Sequence, residues 1–238
     1  MTRNNPWMSV SDLMTGLMII FLFITIAYMK KVESNISVLK EFVENKQNLH
    51  DKLVERFKSE IEDSIIVIGG DLSLRFQNAE TLFDDGSWEL KPQFKQQLAD
   101  ILPKYLNIIL TDSMKTKIRE IRIEGHTNDV AFPSIDPDPY MANLILSQRR
   151  ALSVMYFMRS LPEYQAYSPE NKKLLEYWFT ANGLSYGHAL DYDNRNALIT
   201  GKEIDKEKSR RVEFRIITSG EEVFEHFIES TSNNDSHE

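Results

Sequence analysis

Residues 118–129 read Ile-Arg-Glu-Ile-Arg-Ile-Glu-Gly-His-Thr-Asn-Asp, and Ile118, Ile121 and Ile123 stand among charged residues as a half-buried strand should. What flanks this strand decides the fold class. Before it, residues 90–110 mix apolar and polar side chains at helical period. Pro92 falls early, where a helix tolerates it, and Pro103 is expected to kink or divide the helix. Asp85-Gly86-Ser87 ahead of them reads as a turn and N-cap. After the strand, a loop rich in proline (Pro133, Pro137, Pro139) leads to a second long helix over 142–161. Further out, residues 65–68 and 72–76 read as strands separated by Gly69-Gly70, 170–179 as a helix and 212–217 as a final strand. Strands alternating with helices around one sheet make an α/β (α+β) protein, here a small two-layer α/β sandwich.

The 238 residues suffice for one ordinary domain with appended segments, not for two large catalytic domains. A net charge of -8 gives no electrostatic footprint for nucleic acid. With no Cys, disulfides, thiol nucleophiles and Cys-ligated zinc are excluded. His50, His126, His188, His226 and His237 are scattered without metal-ligand spacing, and neither a phosphate-cradling glycine loop nor a nucleophile elbow is present. The reading is therefore not an enzyme, with no cofactor and no metal. Tyr164, Tyr167, Tyr177 and Trp178 form an aromatic stretch that fits core packing better than a binding surface.

The N-terminus sets the compartment. Residues 13–29 contain no ionisable side chain except Tyr28, and with 7–12 ahead of them the stretch reaches about 20 residues, enough to span a bilayer. A cleaved signal peptide is the weaker reading, because Arg3 alone makes up the basic n-region and the apolar run is long. Arg3 competes with Lys30 and Lys31, so charge alone does not orient the span. The chain then divides into an N-terminus and transmembrane helix over 1–30, a helical stalk over 31–62, a domain over 63–228 and a disordered polar tail over 229–238. In the stalk, Val32, Ile36, Leu39, Val43, Leu49, Leu53, Phe57 and Ile61 recur near helical spacing. That stripe either pairs with a second copy or packs on its own domain.

Asp12 sits about one turn inside the apolar span, where an ionised carboxylate costs about 2.5–3.5 kcal/mol at a central position and less near an end. On a helix Ser9, Asp12, Gly16 and then Ile19 or Ile20 share a face, with Thr15 beside it. Its small residues suit close approach by another helix, which turns the acid toward protein and lets it bind and release a proton. An interfacial N-cap is the plainer alternative.

Residues 6–18, PWMSVSDLMTGLM, resemble the segment of MotB-family stator subunits in which a Trp precedes a proton-accepting Asp and a Met-Thr or Met-Ser pair follows. Asp12 is the matching position. The resemblance implies that it carries the coupling ion, a proton in preference to Na+, in a rotary unit of five multi-span A subunits around two B helices.

A second resemblance covers residues 65–217. Residues 72–76, Leu82-Phe83 and 86–90 are similar to the opening of OmpA-like domains, 121–129 to their Gly-His-Thr-Asp strand, Asn143 and 146–154 (LSQRRALSV) to their Asn, Leu-Ser, Arg-Ala and Val positions, and 209–214 (SRRVEF) to their late Arg-Arg-Val strand. The family binds the peptide stem of peptidoglycan. A diaminopimelate end offers an ammonium and a carboxylate, and a guanidinium fork suits the latter. The resemblance assigns this contact to Arg150, with Asn143 nearby and Thr127, Asn128, Asp129, Tyr140, Leu146 and Arg211 completing the site. Asn128 departs from the family by standing where an Asp is usual, which removes a charge. Without the motif order, Arg150 and Arg211 read as surface residues paired with Asp or Glu.

Within the motor class, the short segment before Trp7, the span and the immediate stalk are most similar to the ZorB family, MotB-like subunits of Zorya anti-phage defence systems. Flagellar MotB proteins usually carry a longer basic N-terminus and a plug after the span. This resemblance implies a ZorA-like (MotA-like) multi-span partner, a dimer of this chain, cytosolic defence effectors acting indirectly, and a single-pass inner-membrane location with the N-terminus cytoplasmic and the large domain periplasmic. A flagellar-type stator and a purely structural tether to peptidoglycan are the alternatives, and a tether has no need of Asp12.

Overall fold

A single helix, α1 (Pro6–Arg56), carries both the apolar run and most of the stalk pattern. The computed structural model describes residues 6–77 and 79–221, without the side chains of residues 6–10, 12, 35, 38 and 79. The expected tail over 229–238 and the end of the expected domain over 222–228 lie outside the described residues. The stretch Leu13–Arg56 is long and apolar enough to cross a membrane. Large apolar side chains along its first turns, among them Leu13, Met18 and Phe21, are exposed on the isolated chain. The described chain divides into two compact units, one ending at Glu44 and the other spanning Asn45–Glu221.

In chain order the second unit adds to the end of α1 the elements α2 (Lys58–Glu62), β1 (Ile66–Ile68), β2 (Ser73–Phe76), α3 (Ala79–Leu82), α4 (Pro92–Ile109), α5 (Asp112–Lys115), β3 (Ile118–His126), α6 (Pro139–Ser160), α7 (Pro162–Ala166), α8 (Pro169–Trp178), β4 (Phe179–Gly183), α9 (Ala197–Thr200), α10 (Lys206–Ser209) and β5 (Arg211–Thr218). The strands form one sheet in the order β1-β2-β5-β3-β4. All neighbours are antiparallel except β3 and β4, which run parallel. Alternation along the strands separates two faces. Leu74, Phe76, Ile121, Ile123, Phe214 and Ile216 join one core with Phe94, Leu98 and Tyr105 of α4 and Ala151, Val154 and Met158 of α6. Phe214 meets Phe76, Tyr105 and Phe179 edge-on at 5.6–6.5 Å. The opposite face carries Arg75, Arg122, Glu124, His126, Arg211, Glu213 and Arg215.

The two-layer α/β arrangement expected from the sequence is present, with three differences in detail. The fifth strand, β4, was not expected: Phe-Thr-Ala-Asn-Gly lacks apolar alternation, and parallel pairing with β3 makes it a strand. Pro103 lies inside α4, which continues through it undivided. The N-cap of α4 is Lys91, followed by Pro92, and not Ser87; no side chain caps it. Of the stalk stripe, Leu49, Leu53 and Phe57 are buried in the domain core, so this part packs on its own domain, whereas Ile36 and Val43 remain exposed.

Candidate functional site

Two places gather the residues singled out above. The first is the N-terminal stretch of α1. Asp12 is the seventh residue of the helix, beyond its first turn, which removes the N-cap reading. The side chains of Asp12 and Ser9 lie outside the described residues. Thr15 turns its hydroxyl back to donate to the Ser11 carbonyl at 2.8 Å, which keeps that polar group satisfied within the helix. A Cβ built on Gly16 would meet nothing within 4 Å, so the helix is open to close approach at that level.

The second place is built where β3 ends against the first half of α6. Gly125 is required there, because a side chain would strike the carbonyl of Ser147 on α6. The chain leaves β3 through Thr127 and Asn128, both buried, while Asp129 is exposed. The Asn128 Oδ1 accepts from the Val130 N–H at 3.2 Å and its Nδ2 donates to the Lys206 carbonyl at 3.4 Å. Asp138 starts α6 as N-cap, its carboxylate accepting from the Tyr140 and Met141 N–H groups. Asn143 is fully buried and its Nδ2 donates to the carbonyls of Val130 at 2.8 Å and Pro139 at 3.0 Å. Leu146 is fully buried as well. One face of α6 thus ties Asn143 to the loop after β3, through the Val130 carbonyl, and Arg150 to the 84–87 turn.

Arg150 is 5 % exposed. Its Nε donates to the Ser87 carbonyl at 2.8 Å and Nη2 to the Asp84 carbonyl at 3.1 Å, and the guanidinium lies 4.8 Å from the Phe83 ring. Burial, reinforced by the nearby Arg210, brings its pKa down to about 10. Arg210 in turn ties the same loop to the end of the sheet by pairing with Asp85 and Glu207. Tyr140 is 45 % exposed and meets Tyr186 edge-on at 5.5 Å. Ser185, in the left-handed region at φ 50°, was not foreseen. Its hydroxyl donates to the Tyr140 carbonyl, its N–H to Ser147 Oγ, and its carbonyl accepts from Thr127. No sequence signal short of the fold marks it.

Arg211 lies apart from this loop, on the charged face, opposite His126 in the β3–β5 register. It pairs with Glu213, which also accepts from Arg75 Nε at 2.8 Å. His126 is almost fully buried, with Nε2 3.7 Å from Glu124 and 4.0 Å from Glu213. These three are the described residues whose donor atoms converge closely enough to hold a metal ion, all within 4.8 Å. Two guanidiniums already neutralise Glu213, and the group is better described as a buried ionic network. Burial raises the Glu213 pKa, but Arg211, His126 and Arg75 outweigh it and bring the carboxyl down to about 2. Burial, then Arg211, pushes His126 below its ordinary value.

The chain is 37% identical over 224 residues to the Zorya protein ZorB of Escherichia coli strain Crooks, covering 92% of this chain and 90% of that protein. A second Zorya protein ZorB, from Escherichia coli O139:H28, is 28% identical over 217 residues, covering 88% of this chain and 79% of that one. No protein-family model matches the chain. Among solved structures, the periplasmic domain of Helicobacter pylori MotB aligns with a TM-score of 0.40 at 16% identity, over 70% of this chain and 87% of that one. The OmpA-like domain of FopA1 from Francisella tularensis aligns with a TM-score of 0.36 at 18% identity, over 65% and 81%.

Proposed function

The chain belongs to the ZorB family of Zorya proteins, and from that premise we propose that it is the peptidoglycan-anchored B subunit of a proton-driven inner-membrane rotary motor acting in anti-phage defence. The observation that carries the reading is the position of Asp12 within α1, just ahead of Leu13, where the described stretch long and apolar enough to span a membrane begins. It is the one acidic residue in the first 32 positions.

The mechanism follows from that placement. A carboxyl alternately exposed to a water path and buried against a partner helix takes up a proton from one side and loses it to the other. Each transfer makes about 2.3 kcal/mol available per 100 mV of membrane potential. One helix has no channel of its own, so the path requires a multi-span A-type partner, five copies around two chains of this kind. Gly16 and the self-satisfied Thr15 leave the Asp12 face free to approach it. The domain over Asn45–Glu221 holds the subunit to peptidoglycan, so that the force turns one part against another. The role is mechanical, not catalytic. The N-terminus lies in the cytoplasm and the domain in the periplasm, and cytosolic effectors respond downstream.

A carbodiimide that reacts with protonated carboxyls in apolar surroundings tests the proton site. In membranes containing the chain and its multi-span partner, mass spectrometry should find Asp12 labelled, faster as pH falls, with no label in Asp12→Asn. Unlabelled Asp12 in the assembled complex would contradict a proton-carrying role.

A further inference from the structure

The buried stripe of α1 does not stop where the domain core stops. Leu49, Leu53 and Phe57 belong to that core. About 10 Å nearer the N-terminus, at 1.5 Å per residue, Phe42 is only 8 % exposed, although it is not part of the core cluster. On the same face Leu39, Asn45 and Lys46 are half-buried, whereas Ile36 and Val43, turned about 100° or more away, are exposed. A buried side chain needs several neighbours around it. This flank of the stalk is therefore an occupied one.

The last strand of the domain ends close by. The Ser219 N–H donates to the Lys117 carbonyl at 2.9 Å, and Lys117 Nζ donates to Asn45 Oδ1 at 2.6 Å. The segment that follows Glu221 thus sets out near α1, about one turn from Phe42. Over 222–228 it reads Glu-Val-Phe-Glu-His-Phe-Ile, and Val223, Phe224, Phe227 and Ile228 fall at the spacing of a single helical face. Residues 222–238 contain no Lys or Arg, and Glu222 and Glu225 flank the apolar positions.

We propose that residues 222–228 form an amphipathic helix that docks on the stalk, burying Phe224 and Phe227 against Phe42 and Leu39 and bringing Glu222 and Glu225 toward Lys46. The chain's own segment fits this face better than a second copy does, because it begins within reach, matches the stripe in apolar character and carries the charge that Lys46 lacks. The stalk would then be gripped along one face from Leu39 to Phe57, about five turns. Force arriving from the membrane would pass into the domain without bending the helix where it enters. That consequence rests on the motor reading, whereas the docking itself does not.

The test is hydrogen exchange by mass spectrometry on the full-length chain in lipid nanodiscs and on the same chain ending at Glu221. Without the segment, amides over 38–45 should exchange about tenfold faster, while β3 and β5 keep their protection. To separate local loss from general unfolding, Phe227→Ser in the intact chain should have the same local effect with an unchanged melting temperature. The chain has no Cys, so Phe42→Cys combined with Phe224→Cys or Phe227→Cys can be oxidised without background, and at least one pair should close a disulfide within a single chain. Exchange over 38–45 that neither variant alters would overturn the proposal. A disulfide formed between two chains by Phe42→Cys alone would also overturn it, and would give the face to a second copy.

Discussion

Glu213 bears the charge on which the outer face of the sheet depends, since Arg211 and Arg75 both pair with it and His126 stands beside it. Breaking a buried pair from one side leaves an uncompensated charge, so Glu213→Gln should destabilise the domain by about 3–5 kcal/mol in chemical denaturation. The pH dependence has a definite sign. Glu213 has a folded pKa of about 2, below the ordinary carboxylate value near 4.3. Its contribution is complete above about 4.3 and lost as pH falls toward 2. His126 is also pushed down, so the unfolded ring takes up a proton first and stability drops as pH falls below about 6.5. Stability should therefore decline in two stages on acidification, and His126→Gln should flatten the upper stage and, by removing one of the charges that hold Glu213 down, weaken the lower one. A profile unchanged by that substitution would show the ring is not the titrating group. At this scale, the motif order marked Thr127, Asn128, Asn143 and Arg150 as neighbours. It did not reveal what occupies them, because the carbonyls of Asp84, Ser87 and Lys206 come from segments 63–78 residues away.

At the scale of elements, the pattern in the sequence sufficed wherever apolar spacing was strong, as in α4, α6, β3 and β5. It failed at β4, whose strand state is imposed from outside. There Gln148 of α6 clasps the edge: its Oε1 accepts from the Gly183 N–H at 2.7 Å and its Nε2 donates to the Ala181 carbonyl at 3.0 Å. A side chain added at Gly183 would come within 2.5 Å of the Gln148 backbone nitrogen. Gln148→Ala should cost about 1–3 kcal/mol for the two bonds and speed hydrogen exchange in β4 ahead of β3 and β5. Gly183→Ala, which forces strand and helix apart, should do so more severely. Equal exchange in β4 with and without Gln148 would mean that β3 alone holds the edge. The same limit explains Pro103: a proline in the pattern announces a break, yet α4 runs through it because packing of Phe94, Leu98, Leu102 and Tyr105 holds both halves in one core.

For the molecule as a whole, spacing could not settle whether the stalk stripe serves a second copy or the chain itself, since both uses need the same periodicity. Its last part goes to the domain core, with Leu49, Leu53 and Phe57 at most 1 % exposed. A fragment over 45–221 should unfold cooperatively in urea, whereas one over 63–221 should not. It lacks three core side chains whose truncation costs about 2–5 kcal/mol each, as much as a domain's whole stability. Two equally stable fragments would show that α1 is only a spacer. The proposed function, by contrast, turns on one position at the other end of that helix. The most direct measurement is phage plating on cells carrying the complete defence system with the parent chain or with Asp12→Asn, at matched membrane levels. Loss of protection with Asp12→Asn is the result expected of a proton-driven motor. Equal protection would contradict it and leave a tether.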